Sequence, residues 1–394
     1  MMIRKESLNW PLMSNNISSD DLKCLIKFLE TNPRLTQASQ VSEFEKEWSE
    51  WLGVKYSVFV NSGSSANILT LAAVRHLYGT GEIILPPLTW VSDVVAVIQN
   101  GFTPVFADIN PRTLSLDDER VIEKITDKTL AVFLTHAQGF NGLTDRLINV
   151  LNERSIMLIE DVCEAHGSTF NGQKNGTHGL VSNFSFYYAH HMSTVEGGMV
   201  CTDDESVYQV ARMLRSHGMV REATNDKLKN DYKLNHPDLS PDFIFAYPGF
   251  NFRNSEIGAV IGRNQLKRLD GNNEKRNKNF SLFLENLNPE FYRTDFELTG
   301  CCNYAFNLVM KHKDPDFRDR VEKTLDQYDV EYRRGSSGGG NQLRQPYLKR
   351  FLHENEYSLY PEVEHIHFYG FYIGNYPELD DDRIIALCNV LNHI

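Results

Sequence analysis

The chain of 394 residues predicts an α/β protein with a mostly parallel sheet, followed by a smaller α+β unit. Two observations predict this class. Up to about residue 265, short apolar segments alternate with amphipathic segments of helical period, and this alternation is typical of βαβ units. From about Lys267 the pattern changes to long polar helical segments with few strands. We therefore expect a large domain over residues 1–265 and a small one over residues 266–394.

Composition and charge limit the classes of partner. A hydrophobic content of 41% indicates a globular chain that is long enough to bury a substantial core. The formal net charge of -12 argues against nucleic acid and anionic membranes as partners, because both bind dense basic surfaces. The start MMIRKESLNWPLMSNN has no apolar core of signal-peptide length, and no later run approaches the roughly 20 apolar residues of a membrane span. We expect a cytoplasmic protein.

The first part of the chain predicts two helices and a strand that leads into a third helix. Residues 19–31 and 41–52 have amphipathic helical spacing, and residues 56–61 form a short apolar strand. Residues 62–67, SGSSAN, then turn into a helix. Small residues at a helix N-terminus expose N–H groups that suit a phosphate. The same pattern also fits an ordinary capped helix start.

Later apolar segments predict the remaining strands of the sheet, at residues 82–87, 104–108, 130–134 and 156–160. Trp90 opens the helix that follows the first of these, and as an isolated residue it could equally be part of the core. Asp161 follows the last of them, at the edge where open α/β sheets place ligand-contacting residues. It could instead cap a helix.

The stretch NFSFYYAHHMSTVEGG, residues 183–198, is the most informative part of the sequence. Its aromatic residues alternate with Ser185, which predicts a short strand that presents one small hydroxyl at its end. The strand breaks at His190 and His191. The helix that follows is predicted to be capped by Thr202 and Asp203.

This stretch resembles the sugar aminotransferases of the DegT/DnrJ/EryC1/StrS family, whose equivalent segment looks like FSFYPGKNLTTGEGG. Counting back from Glu196, the family's cofactor-binding lysine falls on His190. An imidazole cannot form that covalent bond, but histidine carries protons well near neutral pH. The pair of histidines before EGG most resembles the branch in which histidine has replaced the lysine, the GDP-sugar 3-dehydratases. The resemblance implies the aspartate aminotransferase fold (fold type I) and pyridoxal or pyridoxamine phosphate as cofactor.

The resemblance covers nearly the whole chain, is strongest over residues 56–253, and implies a catalytic His190 within a set of cofactor contacts. Trp90 would stack on the pyridine ring, Asp161 would pair with the ring nitrogen, and Glu164 occupies a place where relatives usually have glutamine. The implied phosphate contacts are Ser64, Ser65, Ser185 and Asn251. Because Asn251 serves the neighbouring subunit in relatives, the resemblance also implies an obligate homodimer with shared active sites.

Substrate contacts are expected from later segments. The candidates are His217, Arg253, Glu331 and Arg333. Arg333 precedes a glycine-rich stretch, and arginines beside free backbone amides suit a pyrophosphate, although a mobile surface loop fits the same residues. The polar residues 219–242 are expected to form a surface excursion that could cover the nucleotide.

The cysteines argue against metal chemistry. They stand at positions 24, 163, 201, 301, 302 and 388, with no CxxC pair and no metal-type spacing. A second lysine-lacking relative carries an iron-sulfur cluster on four clustered cysteines, and this sequence has no such set. We expect no iron-sulfur cluster, no metal site, and thiols that are mostly buried and inert.

Together with these features, the resemblance implies C3 dehydration of a nucleotide-linked 4-keto-6-deoxy sugar, a GDP-linked hexose or heptose, in deoxysugar biosynthesis for surface polysaccharide. L-glutamate would serve as amino donor for pyridoxamine phosphate. Two alternatives stay open. A nucleotide-sugar aminotransferase would need the lysine that this stretch lacks, and a non-catalytic cofactor-binding paralogue would have little reason to keep Trp90, Asp161 and Ser185 together. His190 could also be a structural histidine.

Overall fold

A seven-stranded sheet organises the first half of the protein. The computed structural model describes residues 7–394. The strands of this sheet are β1 (Tyr56–Val60), β2 (Glu82–Leu85), β3 (Thr103–Phe106), β4 (Thr129–Thr135), β5 (Met157–Asp161), β8 (Val181–Ser185) and β9 (Gly198–Thr202). Two short strands, β6 (Thr169–Phe170) and β7 (Gln173–Lys174), form a separate hairpin between β5 and β8. Most residues of the large sheet are buried, as their continuous apolar runs predict, whereas the edge strand β3 is buried only at Phe106.

The topology of this sheet brings several strand ends to one edge. The spatial order is β1-β9-β8-β5-β4-β2-β3, and β9 is antiparallel to both of its neighbours while the other pairs are parallel. The carboxyl ends of β1, β2, β4, β5 and β8 therefore meet at the same edge. This arrangement confirms the predicted α/β class with a mostly parallel sheet.

Helices cover the sheet and continue into the C-terminal part. They are α1 (Ser19–Glu30), α2 (Ser39–Leu52), α3 (Gly63–Tyr78), α4 (Val91–Gln99), α5 (Asp118–Lys124), α6 (Asp145–Glu153), α7 (Glu205–Arg215), α8 (Asp226–Asn235), α9 (Glu256–Leu266), α10 (Leu269–Asn286), α11 (Pro315–Gln327), α12 (Pro361–Tyr369) and α13 (Asp381–Asn392). Most begin at a serine, threonine, aspartate or asparagine cap. No helix within residues 7–394 is long and apolar enough to cross a membrane.

A three-stranded antiparallel sheet forms the centre of the C-terminal part. Its strands are β10 (Ala305–Val309), β11 (Tyr332–Arg334) and β12 (Gly370–Gly374), in the order β10-β12-β11. The long helix α10 packs against α13 beside this sheet. The predicted division between residues 265 and 266 falls at the last turn of α9, and it stays a prediction.

The structure corrects several sequence-based expectations. Thr202 ends strand β9, and Asp204 caps α7 in place of the predicted pair. Helix α1 forms as predicted, but its apolar residues point outward: the side chains of Leu22, Ile26 and Leu29 are 49%, 54% and 41% exposed. The buried Asp21 anchors the other side of this helix through an ion pair with Arg268. Patterning alone did not show which side of α1 faces the protein.

Candidate active site

A cavity of about 590 Å³ lies at the carboxyl edge of the large sheet. The glycine-rich residues 336–339, which follow β11, line its other side. The cavity brings together seven predicted site residues, Ser64, Trp90, Asp161, Glu164, Ser185, His190 and Arg333. The strand topology explains why Asp161 and Ser185 lie in one cavity, because they end the neighbouring parallel strands β5 and β8.

The N-terminus of helix α3 forms one end of the cavity. Ser62 caps the helix by accepting the Ser65 N–H at 3.0 Å, and the Ser65 hydroxyl donates to Asn61 at 2.6 Å. Ser65 is therefore occupied within the turn and does not line the cavity, in contrast to its predicted role. Gly63 and Ser64 do line it. A Cβ at position 63 would lie 2.5 Å from Cβ of Ser185, so only glycine lets the helix end approach the Ser185 hydroxyl this closely.

Asp161 stands at the end of strand β5, and Trp90 stands at the start of helix α4. Asp161 is 3% exposed, and its Oδ1 accepts the Cys163 N–H at 2.8 Å, which fixes the carboxyl at the end of the strand. Trp90 is the N-cap residue of α4 and is 55% exposed. A tryptophan this open is not core packing, so the alternative interpretation of Trp90 is excluded. Its ring is available to a bound planar group.

His190 lies in a turn after β8, where its backbone is held from two sides. Its N–H donates to the Tyr187 carbonyl at 3.0 Å, and its carbonyl accepts from Asn16 at 3.1 Å. The imidazole is near the ring of Tyr304, and its buried Nδ1 has no hydrogen-bond partner among the described residues. Burial lowers the pKa of His190 to about 4, and although the charge of Asp161 raises this pKa, the buried Arg276 adds to the lowering. At neutral pH the ring is uncharged and able to accept a proton.

Glu164 lies in the turn after β5 and faces the same cavity. Its Oε2 accepts the Gln138 N–H at 2.8 Å, and its Oε1 accepts the Ser337 hydroxyl at 3.1 Å. Burial raises the pKa of this carboxyl to about 7, and the charge of Asp161 contributes in the same direction. Glu164 is thus poised to hold or release a proton near neutral pH.

The other predicted contacts lie outside the cavity of their own chain. Asn251 is exposed, and its Oδ1 accepts from Nε of Arg253 at 3.1 Å. His217 is exposed at a turn with a positive φ of 63°. Glu331 accepts the Leu12 N–H at 2.8 Å, so it holds the segment whose Leu12 and Met13 line the cavity but does not line it itself. Glu331 therefore contacts the segment that lines the cavity and not the cavity itself.

Several residues that line the cavity were missed by sequence reasoning. They are Leu12, Met13, Cys163, Tyr187, Glu196, Tyr304 and Tyr372. Tyr304 and Tyr372 come from the small sheet region, where no pattern in the sequence connects them to the large sheet. Burial raises the pKa of both phenols, that of Tyr372 to about 12. Cys163 was interpreted as an inert thiol, and burial does raise its pKa well above the usual value.

The described residues 7–394 contain no group of three or more histidine, cysteine, aspartate or glutamate side chains arranged as metal ligands. What they do contain is a helix N-terminus beside a serine, a buried carboxylate, an open indole and a neutral imidazole, all around one cavity. This set can hold a phosphate, pair with a protonated ring nitrogen, cover a planar ring and move a proton.

Comparison with known proteins agrees with this geometry. The family model described as the DegT/DnrJ/EryC1/StrS aminotransferase family matches residues 15–391. The GDP-4-keto-6-deoxy-D-mannose 3-dehydratase of Yersinia pseudotuberculosis is 32% identical over 99% of this chain and 100% of its own length. Two solved structures share the fold over nearly their full length.

The first is the Escherichia coli GDP-4-keto-6-deoxy-D-mannose-3-dehydratase with bound hydrated PLP, which has a TM-score of 0.89, 29% identity, and coverage of 98% of this chain and 100% of that one. The second is a GDP-4-keto-6-deoxymannose-3-dehydratase with a trapped PLP-glutamate geminal diamine, with a TM-score of 0.88, 30% identity, and coverage of 97% and 100%. These matches confirm the aspartate aminotransferase fold and the resemblance to the dehydratase branch. The chain belongs to the DegT/DnrJ/EryC1/StrS aminotransferase family.

Proposed function

We propose that this protein is a 3-dehydratase of a nucleotide-linked 4-keto-6-deoxy sugar, dependent on pyridoxal and pyridoxamine phosphate, and that its substrate is a GDP-linked hexose or heptose. The observation that carries the proposal is that His190, on which the family's lysine falls by sequence resemblance, lines this cavity. Relatives of similar sequence over their full length are named as GDP-4-keto-6-deoxy-D-mannose 3-dehydratases, which supports the same activity here.

The residues around the cavity fit the cofactor. The close approach of the α3 N-terminus to Ser185, which a Cβ at Gly63 would block, forms a cradle of N–H and hydroxyl donors for its phosphate. Asp161 would pair with the ring nitrogen, Trp90 would cover the ring, and Glu164 would contact the cofactor from the same turn as Asp161. When bound, this cofactor supplies an amine that condenses with a ketone and a ring that accepts electrons.

His190 would move the protons of the reaction. With its pKa lowered to about 4 by burial, the ring is neutral at physiological pH and accepts a proton at a ring nitrogen. It would then return that proton to the hydroxyl that leaves C3 of the sugar. Since an imidazole cannot replace the lysine covalently, the cofactor would be held by non-covalent contacts alone.

The overall reaction must balance in electrons. Replacing the C3 hydroxyl by hydrogen is a two-electron reduction of the sugar. Conversion of L-glutamate to 2-oxoglutarate and ammonia is the matching two-electron oxidation, and the water that it consumes equals the water lost from C3. This balance makes glutamate the proposed co-substrate and ammonia the diagnostic product.

Arg333 is the proposed contact for the substrate pyrophosphate. It is exposed, lines the cavity beside Arg334, and makes no ion pair within the described residues. In a chain with a net charge of -12, an arginine that lines a cavity without an ion-pair partner fits a specific anion site better than a general basic surface.

We further propose a homodimer whose active sites are shared. Asn251, the predicted phosphate contact, and Arg253, a predicted substrate contact, do not line the cavity of their own chain, which supports their use by a neighbouring subunit. Exposed apolar side chains precede them in the chain: Phe243 and Phe245 are 58% and 55% exposed, and Phe245 pairs with Met219, just after His217. The exposed apolar side of α1, with Leu22, Ile26 and Leu29, is a second surface that a neighbouring subunit could cover. The expected cytoplasmic location stays a prediction.

One assay separates the proposal from its alternatives. The protein is mixed with pyridoxal phosphate, L-glutamate and GDP-4-keto-6-deoxymannose, and ammonia and the sugar product are measured. A 3-deoxy-4-keto sugar formed with one equivalent of ammonia supports the dehydratase. A 4-amino sugar without ammonia would identify an aminotransferase, and cofactor binding without either product would identify a non-catalytic paralogue.

A further inference from the structure

Two amide side chains from other parts of the chain hold the turn that carries His190. Asn16, from the segment before helix α1, donates from Nδ2 to the His190 carbonyl at 3.1 Å. Gln265, in the last turn of α9, accepts the Ser193 N–H at 2.9 Å. These two bonds hold both ends of residues 190–193, which lie between β8 and β9. Sequence reasoning missed both amides, since asparagine is common before a helix and glutamine is common within one.

Asn16 is itself fixed by its backbone to helix α9 and to the start of α10. Its carbonyl accepts from Nη2 of Arg268 at 2.9 Å and from Nε2 of Gln265 at 3.2 Å. Gln265 is 2% exposed, so one buried amide bridges Asn16 and Ser193. The side-chain bond from Asn16 to His190 therefore begins at an anchored position.

Asn16 does not face the space that a ligand would occupy. It is absent from the lining of the 590 Å³ cavity, whereas His190 lines that cavity. Asn16 and His190 both line a second cavity of about 20 Å³. A space of this size has room for about one water molecule and excludes a cofactor or a sugar. A contribution of Asn16 to catalysis is therefore expected to pass through His190.

We propose that Asn16 is a positioning residue that, together with Gln265, fixes the turn 190–193 and with it the place of the His190 imidazole in the large cavity. A catalytic base must lie within hydrogen-bond reach of the proton that it takes. Misplacement of a reacting group by about 1 Å can lower a rate about 100-fold. The effect on catalysis rests on the proposed function, whereas the hold on the turn is a property of the chain alone.

Asn16→Ala removes the bond to His190 and keeps the backbone carbonyl that is anchored to α9 and α10. We expect kcat for ammonia release to fall about 10- to 100-fold, with KM for the GDP-sugar and affinity for pyridoxal phosphate within about twofold of the wild type. The matched control is Asn15→Ala, because Asn15 is exposed and its side chain accepts the Ile17 N–H at 3.1 Å within its own segment. A raised KM with an unchanged kcat would overturn the positioning role.

Two further variants separate positioning from packing. Asn16→Asp keeps the size of the side chain but has no N–H to donate, so it should reproduce the fall in kcat. A wild-type kcat in Asn16→Asp would assign the effect of Asn16→Ala to lost packing and overturn the proposal. In a His190→Asn background, Asn16→Ala should change the remaining rate by no more than about twofold, because both changes act on one group. An equal loss in both backgrounds would show that Asn16 acts independently of His190.

The hold on the turn is measured without turnover, by hydrogen exchange and mass spectrometry of cofactor-free protein. The peptide that contains residues 187–195 should exchange faster in Asn16→Ala than in the wild type and in Asn15→Ala, because the turn has lost one of its two outer bonds. Unchanged exchange would overturn the proposal even if dehydration is confirmed. Faster exchange in a protein without any dehydratase activity would reject only the proposed function.

Discussion

The Ser337 hydroxyl donates a hydrogen bond of 3.1 Å to Oε1 of Glu164 and so connects the glycine-rich segment to the large sheet. The segment is well packed. Ser336 and Ser337 are buried, and a Cβ at Gly338 would lie 2.0 Å from the Thr89 carbonyl oxygen. The mobile-loop interpretation of these residues is therefore replaced by that of an ordered wall of the cavity.

Glu164 should make folding stability depend on pH in a defined direction. Its folded-state pKa is raised from 4.5 to about 7 by burial, so the native chain keeps a proton that the unfolded chain releases between these values. Stability from this group is consequently lost as pH rises through that window. Glu164→Gln should raise the urea midpoint at about pH 8 and leave it nearly unchanged at about pH 4.5. The exposed Glu153→Gln is the control, and an equal gain at both pH values would contradict the assignment.

His190→Asn should separate catalysis from binding. The asparagine fits the same turn but cannot accept the proton, and general acid-base groups contribute about 10²- to 10⁴-fold to rate. We expect ammonia release to fall by that factor while pyridoxal phosphate affinity stays close to that of the wild type. The exposed His312→Asn should have no effect. Dehydration at the wild-type rate would show that another group is the base, and Glu164 would be the next to test because His217 and Glu331 do not line the cavity.

The cofactor should not become fixed to the chain by reduction. Borohydride treatment of the wild-type complex is expected to leave no pyridoxyl group on any peptide, since His190 replaces the residue placed to bind it covalently. His190→Lys should restore the bond and give a labelled peptide at position 190 in mass spectrometry. It should also lose dehydration, although it can recover some transamination. A pyridoxyl label in the wild-type protein would reject the non-covalent site.

The sequence was sufficient for those site residues that stand at the ends of predicted strands. Asp161 and Ser185 end apolar runs, and parallel strands align their carboxyl ends at one edge, so their meeting with His190 was predictable. Trp90 and Ser64 also stand at the start of the helix after a strand, but their roles were implied by the family resemblance and not by this rule alone.

Long-range contacts could not be predicted in this way. Asp93, in the first turn of α4, accepts the hydroxyl of Thr135 at the end of β4 at 3.1 Å, and nothing in the sequence marks this contact. Tyr304 reaches the cavity from a separate sheet. For Ser65 a local contact was missed. The SGSSA turn was predicted correctly, but the Ser65 N–H donates to the capping Ser62 hydroxyl, and only the structure reveals this bond.

Arg333 should matter for substrate but not for cofactor. Arg333→Ala removes a guanidinium that lines the cavity without an ion-pair partner, and a hydrogen bond to a charged group is worth ~1.5–3 kcal/mol. We expect KM for the GDP-sugar to rise about 10- to 100-fold with kcat little changed. Arg333→Lys should lower KM only part of the way back to the wild-type value, because lysine lacks the planar guanidinium that binds two phosphate oxygens at once. The exposed Arg350→Ala is the control, and an unchanged KM in Arg333→Ala would place the pyrophosphate elsewhere.

Mixed dimers test whether Asn251 serves the neighbouring subunit. A chain with Asn251→Ala should bind pyridoxal phosphate about tenfold to a hundredfold more weakly, because a phosphate oxygen loses a charge-assisted bond of ~1.5–3 kcal/mol. If Asn251 acts across the interface, mixing that chain with a His190→Asn chain places both lesions in one site and leaves the other site of each heterodimer intact. Activity should then recover toward half of the wild-type value per heterodimer, measured as ammonia release at a limiting cofactor concentration. No recovery despite subunit exchange, demonstrated by native mass spectrometry, would show that Asn251 serves its own chain.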